Sequence, residues 1–264
     1  MTAQQQPQQH QPLVTVITAH GGNPLLARCV ESVAAQRYPR IQHLVVADGP
    51  HTWAHAQDVI ASARASAGNQ RRIDLIQLPY AIGAERWNGH RIYGAGSFIA
   101  DGDYIAFLDD DNAFAPEHIE SCLEVCRRGG HRWSYALRNI VDREHRFICR
   151  DDCESLGRWP SVLGAEDFLI DVNCYFLPRL LAVQVAPLWF SRAREPGVPA
   201  VDRAICHALK QIAPQFDCSY RYTVDYMAGN TALSVKPEFF LQGNAQMLQR
   251  YGGRLPWARA DESR

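Results

Sequence analysis

Three consecutive aspartates, Asp109, Asp110 and Asp111, are the residues of this 264-residue chain best suited to chemistry. They follow an apolar segment, residues 104–108. Mg²⁺ takes one or two protein carboxylates and completes its shell with phosphate oxygens and water. In extended backbone, alternate side chains share a face, so Asp109 and Asp111 could point into one site while Asp110 turns away. The sequence therefore predicts a divalent-cation site; the alternative is a solvated turn in which Asp111 or Asn112 caps the next helix.

A second candidate acid, Asp48, also follows an apolar run, residues 41–47, and precedes Gly49. Asp-Gly is a common turn, because both residues suit turn geometry. The carboxylate could also accept a hydrogen bond from the edge of a nucleobase. Both interpretations stay open, since one aspartate can do both jobs.

The elements that would position these acids alternate between strand and helix patterns. Predicted strands cover residues 13–19, 41–47, 73–78 and 103–108, and predicted helices begin at Asn23-Pro24, cover 53–67 and 84–100, and begin again at Pro116. This alternation predicts a doubly wound, mostly parallel α/β sheet flanked by helices. Ligands of such sheets bind beyond the carboxyl ends of the strands. Both acidic features come at such ends.

The second half of the chain has a different pattern. Strands are predicted over residues 134–141, 146–149, 170–177 and 220–226, and a helix begins at Pro199. Because no Ser/Gly-rich linker divides the halves, we expect one domain over residues 13–264 after a disordered tail, 1–12. Residues 13–128 would form its nucleotide-binding half and residues 129–264 its acceptor-binding half, which would contain a smaller acceptor-side region.

Composition excludes several other classes of protein. The chain is 47% hydrophobic with a formal net charge of -1, which favours neither nucleic acid nor an acidic membrane surface. No apolar stretch reaches the roughly 18 to 20 residues that span a bilayer, and the polar start lacks the features of a secretory signal. We therefore expect a cytoplasmic protein with at most peripheral membrane contact. Its eight cysteines lack zinc-site spacing, so free thiols are expected.

Three segments in order resemble family 2 glycosyltransferases of the GT-A fold. They are LVTVITAHGGNPLLARCVESVAAQRYP (13–39), HLVVADG (43–49) and GDYIAFLDDDNAFAPEHIE (102–120). The resemblance implies inverting transfer of a sugar from a nucleotide-diphosphate donor, usually a UDP-sugar, with Mn²⁺ or Mg²⁺. It also implies a carbohydrate or glycolipid acceptor and a role in bacterial surface polysaccharide or glycoconjugate synthesis.

The resemblance also assigns roles to individual residues. Asp48 would read the base, Asp109 and Asp111 would form the family's Asp-x-Asp element that binds ribose and metal, and Asp110 would lie with them at the nucleotide. Arg86 and Asn88 fall in the segment that lines the nucleotide pocket. Two positions depart from the family pattern: Ala19 stands where a threonine often contacts the nucleotide, leaving a main-chain contact, and Asn112 replaces the last acid of Asp-x-Asp-Asp.

The catalytic base of this family lies at a helix start after a strand and an aromatic loop. Asp202 takes that place, in the segment GVPAVDRAICHAL, where the helix dipole favours the ionised form. Asp167 is the alternative, because Glu166-Asp167 reproduces the family's Glu-Asp dipeptide, although it precedes the predicted strand 170–177.

Two further questions stay open from the sequence. Four aromatic residues, Trp159, Tyr175, Trp189 and Phe190, could form an acceptor platform or simply belong to the core. A sugar nucleotidyltransferase and a catalytically degenerate binding module are the rival functions. The first would need a basic, Gly-rich loop after the first strand, and residues 19–23 contain no Lys or Arg. The acid pair and the candidate base argue against the second.

Overall fold

The computed structural model describes residues 11–67, 71–83, 87–191, 201–230 and 234–258. Its strands are β1 (Val14–His20), β2 (Ile41–Ala47), β3 (Arg72–Gln77), β4 (Tyr104–Phe107), β5 (Ala113–Phe114), β6 (Trp133–Val141), β7 (Phe147–Arg150), β8 (Tyr175–Pro178) and β9 (Phe216–Met227). Its α-helices are α1 (Leu26–Ala34), α2 (Trp53–Ala67), α3 (His90–Ile99), α4 (His118–Arg128), α5 (Arg179–Val185), α6 (Val201–Ile212) and α7 (Pro237–Arg250).

Within the described residues the strands form one sheet in the order β3-β2-β1-β4-β8-β6-β9-β5, with β7 paired to β6. The first four strands along the chain are mutually parallel, as predicted. Strand β8 runs antiparallel to both β4 and β6, whereas β9 is parallel to β6. The predicted α/β class, a central sheet flanked by helices, is confirmed.

Helices on both faces explain why β1 and β2 read as unbroken apolar runs. Every residue of both strands is buried, as in sheets whose two faces are covered. Helix α1 packs on the sheet through its buried residues Leu26, Cys29, Val30 and Val33. The carboxyl ends of β1, β2 and β4 are thereby held at one edge of a rigid layer.

Several details differ from the sequence prediction; β9, for example, covers Phe216–Met227 instead of the predicted 220–226. The predicted strand 170–177 is shortened to β8, because the Asp171 carboxylate accepts a hydrogen bond from the Asn173 amide and starts a turn of 3₁₀-helix over Val172–Cys174. Helix α3 begins only at His90, after a turn that ends at Gly89. Helices α5 and α7 carry no prediction from the sequence.

All eight cysteines are free. None of the described helices combines the length and the apolar character needed to cross a membrane.

Candidate active site

The predicted acids lie together at the carboxyl edge of the parallel strands. The chain leaves β4 and turns at once, with the amide of Asn112 donating to the carbonyl oxygen of Asp109 at 3.2 Å. Asp110 and Asp111 therefore lie in a turn rather than in extended backbone. The turn nevertheless points the Asp110 side chain away from its two neighbours, towards the loop after β1. Helix α4 starts later, at His118, so the aspartates do not cap it.

Asp109 is held by three side chains from other parts of the chain. The Tyr93 hydroxyl on α3 donates to Oδ1, and Asn173 Nδ2 donates to Oδ2 at 2.8 Å. Asn112 Nδ2 lies 3.3 Å from the same Oδ2, and the Asp109 amide donates to Asn173 Oδ1 at 2.6 Å. Burial, and then the charge of Asp171, raise the pKa of Asp109 to about 6. This carboxylate is ordered but lacks a cationic partner among the described residues.

Asp111 is in a similar position. Its Oδ2 accepts a hydrogen bond from Asn230 Nδ2, just after β9. Burial, followed by the charges of Asp109 and Asp110, raises the pKa of Asp111 to about 8. Neighbouring carboxylates with raised pKa values are stabilised by a cation, since opposite charge favours the ionised form.

The donor set fits a hard divalent cation that shares its shell with a ligand. Within the part of the chain that the structure describes, no three His, Cys, Asp or Glu side chains converge on one point. A closed, all-protein metal site is therefore absent from these residues. Asp109 and Asp111 supply the one or two carboxylates that Mg²⁺ takes when phosphate oxygens and water complete its shell.

Asp110 organises the loop that follows β1. Its Oδ2 lies 2.7 Å from His20 Nδ1 and accepts the amide hydrogens of Gly21 at 3.1 Å and Asn23 at 3.4 Å. The other nitrogen of the His20 ring, Nε2, lies 3.3 Å from His55 Nδ1. Asp110 thus fixes this loop beside Asp109 and Asp111.

Asp48 organises the loop that follows β3. Its two oxygens accept the amide hydrogens of Ile82 at 2.7 Å and Gly83 at 2.8 Å. Space there is tight, since a Cβ on Gly83 would lie 2.4 Å from the carbonyl oxygen of Asn88 and 2.6 Å from Asp48 Oδ2. Asp48 therefore shapes the predicted nucleotide pocket through main-chain contacts, and each of its oxygens keeps a second lone pair.

The other predicted nucleotide-binding residues border this loop. Asn88 is exposed and has left-handed backbone with φ 48°. Ala19, at the end of β1, is buried, and a Cβ on Gly89 would lie 2.8 Å from its methyl group. Arg86 lies outside the described residues.

Asp202 lies at the start of α6, within range of the charges of Asp171 and Asp109. Its Oδ1 is buried, lies 3.8 Å from His90 Nε2 and has no hydrogen-bond partner among the described residues. Burial, followed by the charges of Asp171 and Asp109, raises the pKa of Asp202 to about 7. We expected the helix dipole to favour the ionised form of Asp202. The net shift of its pKa is in the opposite direction, because burial and the neighbouring negative charges favour the protonated form.

Asp167, the alternative base, is already paired. Arg203 Nε donates to its Oδ1 at 2.6 Å, and the Ser161 hydroxyl donates to its Oδ2. Burial alone would raise the pKa of Asp167, but these hydrogen bonds outweigh burial and hold it below the usual value. A carboxylate with a depressed pKa and occupied oxygens is a poor proton acceptor, which favours Asp202.

Two of the four aromatic residues proposed as an acceptor platform belong to the core. Tyr175 and Trp189 are fully buried. Trp189 packs against His90, Tyr93 and Phe107 with ring centroids 5.6 to 5.7 Å apart. Trp159 packs on Trp257 at 5.3 Å, and Phe190 is 47% exposed. Trp189 therefore supports the wall beneath the acids instead of offering a face to a sugar.

Several residues at the site carry no signal in the sequence. Tyr93, His90, Asn173 and Asn230 all contact a predicted acid. Tyr93 and His90 lie in α3, Asn173 lies in the 3₁₀ turn before β8 and Asn230 follows β9, and each is 16 or more residues along the chain from the acid that it contacts. The Asp171-x-Asn173 pattern is the single local hint, because aspartate often accepts a hydrogen bond from the amide two residues later.

Comparison of the sequence with known families finds one match. The pattern described as Glycosyl transferase family 2 matches residues 14–152. This range includes β1 to β4 and all the predicted acids except Asp167 and Asp202. No curated protein sequence matches the chain.

Several solved structures are similar to this chain in fold. TarS from S. aureus, residues 1–349 with UDP-GlcNAc, matches with a TM-score of 0.61 and 14% identity over 90% of this chain and 66% of that one. The mannosyltransferase PcManGT from Pyrobaculum calidifontis, with GDP-Man and Mn²⁺, matches with a TM-score of 0.52 and 13% identity over 80% and 55%. The chain thus spans 66% of the TarS fragment and 55% of the mannosyltransferase chain.

Proposed function

The chain belongs to glycosyltransferase family 2, and from that membership we propose that it moves a sugar from a nucleotide-diphosphate donor to an acceptor hydroxyl with inversion at the anomeric carbon. A UDP-sugar is the favoured donor, in line with the UDP-GlcNAc bound to the similar TarS fragment. The acceptor is a carbohydrate or glycolipid, and the setting is bacterial surface polysaccharide or glycoconjugate synthesis.

The observation that carries the proposal is the Asp202 carboxylate, which lies within range of the charge of Asp109 and has one oxygen without a hydrogen-bond partner among the described residues. Its Oδ1 is buried without a hydrogen-bond partner among the described residues, and Asp109 is near enough to raise its pKa. A buried polar atom without a partner costs free energy, so such an atom at the edge of a site is suited to a ligand. An acceptor hydroxyl would supply the missing hydrogen bond.

The chemistry assigned to Asp202 is that of a general base. The acceptor oxygen attacks the anomeric carbon, and its proton passes to the Asp202 carboxylate. The bond from the anomeric carbon to the diphosphate oxygen breaks, and its electron pair leaves with the nucleoside diphosphate. A base works best when its pKa lies near the working pH, and a pKa of about 7 meets that condition.

Asp109 and Asp111 would hold the divalent cation, Mn²⁺ or Mg²⁺, at the donor diphosphate. When bound, the cation would stabilise the negative charge that develops on the leaving group. Tyr93 and Asn173 hold the Asp109 carboxylate in place by hydrogen bonds, and Asn230 does the same for Asp111. The raised pKa values of both acids support cation binding, because a cation would offset their mutual repulsion.

The test begins with a donor. A thermal-shift screen of nucleoside diphosphates with Mn²⁺ should find one that stabilises the protein, and the matching nucleotide sugars are then assayed for hydrolysis or transfer. Binding without turnover of any sugar donor would favour a binding module instead. A chain that consumed a nucleoside triphosphate and a sugar phosphate would be a nucleotidyltransferase.

Two substitutions then separate the roles of the acids. Asp202→Asn should lower turnover by about 10²- to 10⁴-fold, the range for a positioned general base, with nucleotide affinity retained. Asp167→Asn, the matched control, should lower turnover far less. Asp111→Ala should abolish the Mn²⁺-dependent part of donor binding. Full activity of the Asp202→Asn variant would reject the assignment.

A further inference from the structure

Behind the acids of the site lies a buried guanidinium that the mechanism above does not use. Arg138, in β6, is 2% exposed and donates to three different carboxylates. Its Nε lies 2.7 Å from Asp151, its Nη1 2.5 Å from Asp171 and its Nη2 2.9 Å from Glu154. The ring of Tyr226 covers it, with the guanidinium carbon 4.2 Å from the ring centroid. Its edges and one face are therefore all held by neighbours.

Stability alone is a weak reason for this arrangement. Removing charges from water costs free energy, and well-packed apolar residues are often as stabilising as a buried ion pair. Three carboxylates around one guanidinium also leave negative charge in excess. A planar, rigid fork of donors is, however, well suited to fixing the directions of several carboxylates at once.

One arm of this cluster leads to Asp109. Asp171 Oδ1 accepts hydrogen bonds from the Asn173 amide at 3.0 Å and from Asn173 Nδ2 at 2.7 Å. The same Nδ2 donates to Asp109 Oδ2 at 2.8 Å, and Asn173 Oδ1 accepts the Asp109 amide hydrogen at 2.6 Å. Two side chains, Asp171 and Asn173, therefore connect Arg138 to Asp109 without a gap.

The second arm leads to α6. Glu154 Oε2 accepts from Arg138, and its other oxygen, Oε1, lies 3.5 Å from Arg203 Nη2. Arg203 directly follows Asp202 in the first turn of α6. The third carboxylate, Asp151, is the anchor: its oxygens accept the amide hydrogens of residues 153, 154 and 155 at 2.8 to 3.1 Å. Asp151 thus fixes the cluster to the backbone, and the other two carboxylates connect Arg138 to Asp109 and to the residue after Asp202.

We propose that Arg138 is a positioning residue that holds Asp109, through Asp171 and Asn173, and Asp202, through Glu154 and Arg203, in one fixed arrangement. What the two acids do rests on the proposed function, whereas their placement by Arg138 concerns this chain alone. Transfer of a sugar needs Asp109, at the donor, and Asp202, the proposed base, to keep fixed positions relative to each other. A misplacement of about 1 Å costs about 100-fold in rate.

The first test replaces the fork with a point charge. Arg138→Lys keeps the positive charge but loses the three directed donors, so kcat should fall by about 100-fold. Arg158→Lys is the matched control, because Arg158 pairs with Asp217 at 2.6 Å near the amino end of β9, away from the acids. The control should keep kcat and nucleotide affinity unchanged.

The two arms should give different kinetic signatures. Asn173→Ala cuts the arm to Asp109 and should weaken Mn²⁺-dependent nucleotide binding. Glu154→Gln loosens the arm to α6 and should lower kcat with the nucleotide Kd unchanged. Asn173→Ala should also have little further effect on nucleotide Kd once Asp109 is replaced by alanine, because coupled residues are not additive. If the cluster were only structural, Arg138→Lys, Asn173→Ala and Glu154→Gln would all lower Tm, and the effects on nucleotide Kd and kcat would not separate between the two arms. That result would overturn the proposal.

A structural measurement decides the placement even without a donor. Crystal structures of the parent chain and of Arg138→Lys should differ in the positions of the Asp109 and Asp202 carboxylates by more than about 0.5 Å, the tolerance of a positioned site. If Arg138→Lys does not fold, Asn173→Ala and Glu154→Gln replace it. Unmoved carboxylates overturn the proposal. A parent chain that binds no nucleotide instead overturns the proposed function, and the crystal structures then decide the positioning role.

Discussion

Replacement of Asp202 with asparagine should stabilise the folded protein at pH 8 while it removes the proposed base. Burial and the charges of Asp171 and Asp109 raise the pKa of this acid from 3.8 to about 7. The folded state therefore binds the proton of Asp202 more tightly than the unfolded state. Below the unfolded pKa, near 4, Asp202 is protonated and does not lower the free energy of unfolding. The destabilisation by Asp202 grows as the pH rises and is complete just above pH 7.

The magnitude follows from the size of the shift and from the exposure of the side chain. A shift of about three pKa units corresponds to about 4 kcal/mol between the two protonation states. The Asp202 side chain is 37% exposed although its Oδ1 is buried. Water therefore screens part of the repulsion, and we reduce the cost of the ionised form to about 2 kcal/mol.

The assay is urea unfolding of the parent chain and the Asp202→Asn variant at pH 4.5 and pH 8, with EDTA present. The free energy of unfolding of the variant, relative to the parent, should increase by about 1 to 2 kcal/mol between these pH values. Asp167→Asn is the control of opposite sign. Because the folded pKa of Asp167 is depressed, its ion pair with Arg203 stabilises the fold above pH 4, so this variant should be less stable than the parent at pH 8. An unchanged difference for Asp202→Asn would refute the reasoning.

Three further predictions concern the site. The kcat of the parent chain should rise with pH and level off just above 7, as Asp202 ionises; a profile that Asp202→Glu leaves unshifted would argue for another base. Tyr93→Phe, which removes one hydrogen bond to Asp109, should weaken Mn²⁺-dependent nucleotide binding by about 1 kcal/mol in calorimetry, and an unchanged Kd would contradict that role. Gly83→Ala should weaken nucleotide binding, because its Cβ would lie 2.4 Å from the carbonyl oxygen of Asn88 and 2.6 Å from Asp48 Oδ2 and would displace both; equal affinity in parent and variant would place the nucleotide elsewhere.

The sequence by itself determined the parallel part of the sheet and the location of the principal acids. Apolar runs bounded by turn residues marked β1, β2 and β4 to within one or two residues, because strands buried on both faces leave little freedom in composition. Parallel strands connected by helices must end at one edge, so Asp48 and the run from Asp109 had to lie at the same edge of the sheet. Local chemistry and chain order were sufficient for both conclusions.

Tertiary structure decided everything that depends on residues distant along the chain. Asp167 and Asp202 were both candidates for the base from the sequence, and the tertiary structure separates them. Asp167 accepts a hydrogen bond from Arg203, whereas one oxygen of Asp202 has no hydrogen-bond partner among the described residues. The same holds for Arg138, which has no motif of its own yet meets three carboxylates. Burial and the approach of charges set the pKa of a carboxylate, and neither quantity is a property of its immediate neighbours in the chain.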